Sequence, residues 1–159
     1  MKQIDPQRRQ ALKHGGVMGL FGLFVSAGLV SPAQAQSAWN QAAFTAKGVD
    51  AVVKGLGGSA PASTRDVSWG STPEIAENGA VVPIAIESKI PKTESISILV
   101  EKNPSSLTAV FTIPPGTDPS VSTRVKMGET SMVHALIKAD GKYYVASKEI
   151  KVTLGGCGG

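Results

Sequence analysis

The sequence predicts a mainly β protein: an immunoglobulin-like antiparallel β-sandwich, preceded by one N-terminal amphipathic α-helix and followed by a flexible Gly-Gly-Cys-Gly-Gly arm. Three observations carry that expectation. Beyond Arg65, apolar residues alternate with polar ones at a period of two, which lines one face of a strand with core-forming side chains. Turn-forming residues separate the runs: Asn78-Gly79, Pro91, Asn103-Pro104, Pro114-Pro115-Gly116, Gly128 and Asp140-Gly141. Asp140-Gly141 is the strongest hairpin signal, because a type I′ turn needs positive φ at both central residues. Six or seven short strands spaced this way over roughly 90 residues read as a sandwich, and without a Cys–Trp–Cys core it is of the disulfide-free kind.

Taken in order, residues 1–35 read as an export signal. Lys2, Arg8, Arg9 and Lys13 form a basic start, an apolar stretch covers residues 15–30, and Ala33-Gln34-Ala35 puts small residues where signal peptidase needs them. Cleavage is expected between Ala35 and Gln36. The apolar stretch is too short and too rich in glycine for a membrane span, so the mature chain is expected to carry no membrane anchor. Arg8-Arg9 points to the twin-arginine route, with Ala11 standing where the usual pattern has a bulky apolar residue. That route moves folded proteins, which implies folding in the cytoplasm, and assembly there with any partner, before arrival in the periplasm.

Residues 36–64 are expected to form a helix and a linker. Trp39, Ala43, Ala46, Val49, Val53 and Leu56 recur at spacings of three and four, so they share one helical face, with Lys47, Asp50 and Lys54 turned elsewhere. Gly55, Gly57 and Gly58 end the helix, and the small polar stretch 57–64 reads as a loop. The apolar face either packs on its own sandwich or docks a partner.

Residues 65–154 supply the strands. The inward residues are expected to be Val82, Ile84 and Ile86, then Ile96, Ile98 and Val100, then Ala109, Phe111 and Ile113. Further runs are Val121, Thr123 and Val125; Val133, Ala135 and Ile137; Tyr144 and Ala146; and Ile150, Val152 and Leu154. About 120 mature residues suffice for one modest core.

Composition excludes several function classes. The chain has 16 Lys+Arg against 12 Asp+Glu, and the leader holds four of those bases and one acid, leaving 12 against 11. No basic stripe remains to hold nucleic acid. The mature chain keeps one cysteine, Cys157, and one histidine, His134, which excludes a multi-Cys or multi-His metal site and an intrachain disulfide. No metal or cofactor is expected.

The chemistry sits in residues 155–159. Gly155, Gly156, Gly158 and Gly159 surround Cys157, giving the backbone wide freedom, a thin profile able to thread a cleft, and nothing local to bury the sulfur. Five residues extend at most roughly 15–18 Å, enough to insert a thiol into a docked enzyme. The tail holds no thiolate-stabilising neighbour, so activation is expected from the partner's site. A lone exposed thiol in an oxidising compartment oxidises or forms mixed disulfides unless it has a use, and sulfur's nucleophilicity suits covalent carriage. A lipoprotein cysteine would follow the signal directly, where Gln36 stands, and a prenylation box would place aliphatic residues after Cys157.

Val152-Thr153-Leu154-Gly155-Gly156-Cys157-Gly158-Gly159 resembles the end of the SoxY family, the sulfur-carrier subunits of the Sox thiosulfate-oxidising system. Pro73-Glu74-Ile75-Ala76-Glu77-Asn78-Gly79, Glu101-Lys102-Asn103-Pro104 and Ser122-Thr123-Arg124-Val125-Lys126 are similar to segments of that family. The resemblance implies a periplasmic carrier whose Cys157 holds thiosulfate as an S-thiosulfonate. It further implies a heterodimer with a SoxZ-like sandwich subunit. Transient partners would be a haem-containing SoxXA-type enzyme, a hydrolytic SoxB-type enzyme and an enzyme that oxidises the remaining sulfane sulfur. The carrier itself is then not an enzyme.

Two other functions fit parts of the sequence. One is a sandwich-fold binding or adhesion module dimerised through Cys157; the other is an enzyme using Cys157 as its own nucleophile, which a mobile arm disfavours because it cannot hold an oriented base. His134 reads as a strand histidine, Glu74 and Glu77 as loop residues, Trp39 and Trp69 as packing residues, and Arg124 and Lys126 as a solvated face.

Overall fold

The structure, a computed structural model, describes residues 40–154. Trp39, the expected export signal (with Arg8, Arg9, Ala33 and Ala35) and the arm from Gly155 to Gly159 lie outside the described residues.

Nine strands are described: β1 (Ala62–Ser63), β2 (Val67–Ser68), β3 (Ile75–Ala76), β4 (Val82–Ser88), β5 (Thr93–Val100), β6 (Leu107–Thr112), β7 (Ser120–Val125), β8 (Ser131–Ala139) and β9 (Lys142–Val152). One sheet runs β1-β9-β8-β5-β6, with β3 also paired to β9; the other runs β2-β4-β7. The expected alternation is realised. Val82, Ile84 and Ile86 from β4 meet Ile96, Ile98 and Val100 from β5 and Val133, Ala135 and Ile137 from β8 in one core between the sheets. Asp140 (φ 49°) and Gly141 (φ 72°) make the tight β8–β9 turn with positive φ at both positions, as the Asp-Gly signal requires. Glu94 accepts from the Gly141 amide at 3.0 Å and pairs with Lys138 at 2.8 Å, tying β5 to that turn.

The helical face expected over residues 37–56 is present in two pieces, α1 (Gln41–Thr45) and α2 (Val49–Gly55). The break falls at Ala46, which is extended, and at Gly48, whose φ of 80° and ψ of 162° are open to glycine. Asn40 caps α1 by accepting from the Ala43 amide. At the end of α2 the amide of Gly58 donates to the carbonyl of Val53 and that of Gly57 to Lys54, a Schellman closure with Gly57 at φ 81°. Ala43, Val52 and Val53 are fully buried against Leu99, Leu107, Leu136 and Tyr143, on the opposite side of β5 and β8 from the inter-sheet core. The helices thus pack on their own sandwich. Each fully buried Val or Leu there contributes about 1.5–3 kcal/mol.

Two stretches expected as loops carry short strands. β1 pairs parallel to β9 through Ala62↔Tyr144 and Ser63↔Val145, and β3 pairs parallel to it through Ile75↔Lys151 and Ala76↔Val152. The runs expected around Tyr144 and Ile150 are one continuous strand of 11 residues, β9, which stops at Val152 and leaves Leu154 70% exposed.

Candidate functional site

Cys157 lies outside the described residues, so the site is built from the structure that holds its root. β9 is paired along one side to β8, in a ladder from Ala139↔Lys142 to Ser131↔Ile150. Past Ile150 that ladder is exhausted. The next four residues are nevertheless held, each by a different hydrogen bond. Lys151 donates its amide to the Glu74 carbonyl at 2.9 Å, and Val152 donates to the Thr130 hydroxyl at 3.0 Å. Thr153 donates its amide to Ala76 and its hydroxyl to Glu77, both at 3.1 Å. Leu154 accepts at its carbonyl from the Gly79 amide at 2.7 Å.

The segment that supplies most of these partners is itself anchored. Asn78 folds its side chain back to accept from the Ala80 amide at 2.8 Å, an Asx turn that sets the direction of the chain. Gly79 accepts from the Met127 amide at 2.7 Å, and Met127 is fully buried. Asn103 then donates its side-chain amide to the Lys126 carbonyl at 2.7 Å. The three segments quoted above for their resemblance therefore meet at one end of the sandwich, linked in series from Asn103 through residues 126–127 and Gly79 to Leu154. An open cleft of about 670 Å³, lined by Lys102, Asn103, Pro104, Lys126, Gly128 and Glu129, borders this end. Its Lys102–Glu129 pair, 3.6 Å apart and largely exposed, contributes little. Ile75, Val81 and Leu154, all more than half exposed, belong to or flank the same segments.

Other expected residues fall where the sequence put them. Glu74 and Glu77 act through their main-chain carbonyls. Trp69 is partly buried against the core, and Arg124 and Lys126 are exposed. His134 is a strand histidine with partners that sequence reasoning missed: its Nδ1 lies 2.7 Å from the Ser147 hydroxyl and its Nε2 is 3.8 Å from Glu101. Burial pushes its pKa below the ordinary imidazole value, and Glu101 pulls the other way. The three residues stand in serine–histidine–acid order, but the nitrogens are reversed from the hydrolytic arrangement, and 3.8 Å exceeds a hydrogen bond. It is a cross-strand pair with a distant carboxylate. Among the described residues no group of three or more His, Cys, Asp and Glu side chains is placed to hold a metal ion.

Comparison with known proteins bears on this end of the molecule. The family profile described as sulfur oxidation protein SoxY matches residues 54–157, from within α2 to the cysteine. The solved structure of the sulfur carrier protein SoxY from Chlorobium limicola f thiosulfatophilum is 38% identical, covers 66% of this chain and 94% of its own, and superposes with a TM-score of 0.58. A structure from work on T cell activation by the bacterial superantigen toxic shock syndrome toxin-1 gives a TM-score of 0.40 at 15% identity, covering 54% of this chain and 97% of that one, too slight a likeness to bear on fold or function. Among curated protein sequences, none matches significantly.

Proposed function

The chain belongs to the SoxY family of sulfur oxidation proteins, and from that membership we propose that it is a periplasmic covalent carrier of thiosulfate-derived sulfur, with Cys157 as the attachment point. A sulfur-carrier role in sulfur oxidation comes with the family. The finer reading is supported above all by one observation: the match ends on the mature chain's single cysteine, set among four glycines three residues beyond Leu154.

The carrier chemistry balances without a catalytic group on this chain. Joining the Cys157 thiolate to the sulfane sulfur of thiosulfate forms one S–S bond and releases two electrons, which a haem-containing partner accepts. Hydrolysis of the S–SO₃⁻ bond then takes up water, releases sulfate and two protons, and leaves a persulfide on Cys157 for oxidation or transfer. What this chain contributes is reach and presentation. Glycine carries no side chain to restrict φ and ψ or to widen the backbone, which suits an arm that must enter a cleft, and the partner's site activates the thiol. The export signal with Arg8-Arg9 supports delivery to the periplasm, after assembly with a SoxZ-like sandwich subunit that forms the working heterodimer.

The test is a reconstituted thiosulfate-oxidising system in which the carrier is supplied as wild type or as Cys157→Ser. Turnover that needs the wild-type carrier and stops with the serine form is the expected result. Turnover sustained by the serine form contradicts the proposal.

A further inference from the structure

We propose that residues 74–79, together with Thr130, are a clamp that fixes the pivot of the carrier arm at Leu154, and that Thr130 and Thr153 are positioning residues for delivery of the Cys157 thiol. This inference rests on the carrier reading above and adds to it where the arm begins.

A strand that had only to complete the sandwich could end with its ladder. β9 pairs with β8 up to Ile150, and Ile150 is fully buried in the core. Beyond it burial fades: Val152 is only partly buried, Lys151 and Thr153 are exposed, and Leu154 is 70% exposed. Apolar burial therefore does little to hold residues 151–154, and an unpaired strand end next to glycines would fray. Five hydrogen bonds hold it instead, to Glu74, Ala76, Glu77 and Gly79 on one side and to Thr130 on the other. Each contributes a modest net stabilisation, but together they stop fraying at a defined residue. The clamp is stiff for reasons of its own, since Asn78 closes an Asx turn and Gly79 is bonded to the fully buried Met127.

The consequence is geometric. With the pivot at Leu154, three residues lead to Cys157, so the sulfur's attachment point stays within about 10–11 Å of a fixed point. If the clamp opens back to Ile150, seven residues lead to it and the radius rises to about 23–25 Å. The effective concentration of a tethered group falls roughly as the −3/2 power of tether length, so thiol density at a docked active site drops about three- to fourfold. A short leash on a firm post raises the frequency with which the thiol enters a partner already docked beside it.

The experiment uses the full-length carrier in its working complex, with thiosulfate and the haem-containing partner that conjugates it. The Thr130→Val/Thr153→Val double variant removes both hydroxyl contacts at nearly constant volume. Hydrogen exchange should show faster exchange at residues 151–154 with the rest of β9 unchanged. The expected kinetic result is a fall in kcat of up to about three- to fourfold at an unchanged KM for the carrier. Thr153→Ser, which keeps the hydroxyl, should behave as wild type. Inserting two glycines between Leu154 and Gly155 leaves the clamp alone and should cut kcat about twofold by length alone. Iodoacetamide labelling of Cys157 should proceed at the wild-type rate in every variant. Unchanged exchange at residues 151–154 in the double variant, or confirmed release of those residues with an unchanged or increased kcat, overturns the proposal. If wild-type Cys157 gains no adduct under turnover, the carrier reading itself has failed, an outcome distinct from failure of the clamp.

Discussion

Gly58 offers a sharp test of how the helices sit on the sheet. A Cβ added there would drive into the ring of Tyr143, at Cε2 and Cδ2, and approach Cγ1 of Val53 at 2.9 Å. The ring has little room to yield: Tyr143 is 8% exposed within the cluster formed by Val52, Val53, Leu99 and Leu136, and its hydroxyl donates to the Leu56 carbonyl at 3.2 Å. Gly58→Ala therefore forces overpacking, which costs about 1–3 kcal/mol, and weakens a hydrogen bond with a net contribution of about 0.5–1.5 kcal/mol. The stiffer unfolded chain returns about 0.4–1 kcal/mol, leaving a net loss of about 2–3 kcal/mol. Urea unfolding of the folded domain should show this as a lower midpoint at unchanged slope. Gly57→Ala is the control: nothing lies within 4 Å of its added Cβ, but φ is 81°, so the cost is the left-handed penalty of about 1–2 kcal/mol. In a Tyr143→Leu background Gly58→Ala should lose most of its effect, because the ring that it strikes is gone. A Gly58→Ala protein within 0.5 kcal/mol of wild type would refute the packing of α2 over Tyr143.

Ile98 is fully buried in the inter-sheet core, so Ile98→Ala should lower stability by about 2–5 kcal/mol in the same urea assay. His134 should make stability depend on pH in a defined direction. Burial holds its folded-state pKa down, so the unfolded chain binds the proton more tightly, and stability is fully present above about pH 6.5 and declines as pH falls through and below it. His134→Gln should flatten that slope, and an NMR titration placing the imidazole above its ordinary value would contradict the assignment. Glu94 has its pKa lowered, first by the hydrogen bond from Lys138 and then by the Gly141 amide. Its carboxylate therefore favours the folded state above the ordinary Glu range and loses that contribution as pH falls, so Glu94→Gln should reduce the acid-side slope of the stability profile.

The strands of the sandwich were readable because a half-buried strand imposes its period on the sequence, as Val82-Pro83-Ile84-Ala85-Ile86 shows. The helical face was readable for the same reason, but its break was not, since Gly48 adopts an open conformation without altering the spacing of Ala43 and Val53. Strands of two residues have no period at all. β3 exists because Lys151 and Val152, far along the sequence, run beside it, and no local signal announces that pairing. The Ser147 contact of His134 was recoverable: a two-residue turn at Asp140-Gly141 pairs 139 with 142, and counting outward pairs 134 with 147. Cys157 stood out by composition alone. The clamp at its root was hidden, because four of its five bonds end on backbone carbonyls or amides, which any residue possesses.

Intact mass of the carrier taken from a system turning over thiosulfate tests the central claim most directly. Cys157 should carry a mass increment matching bound thiosulfate or the sulfane sulfur left after sulfate departs, removable by a reducing agent and missing from Cys157→Ser. A carrier that keeps its unmodified mass throughout active turnover, or the same increment on the serine variant, would contradict it.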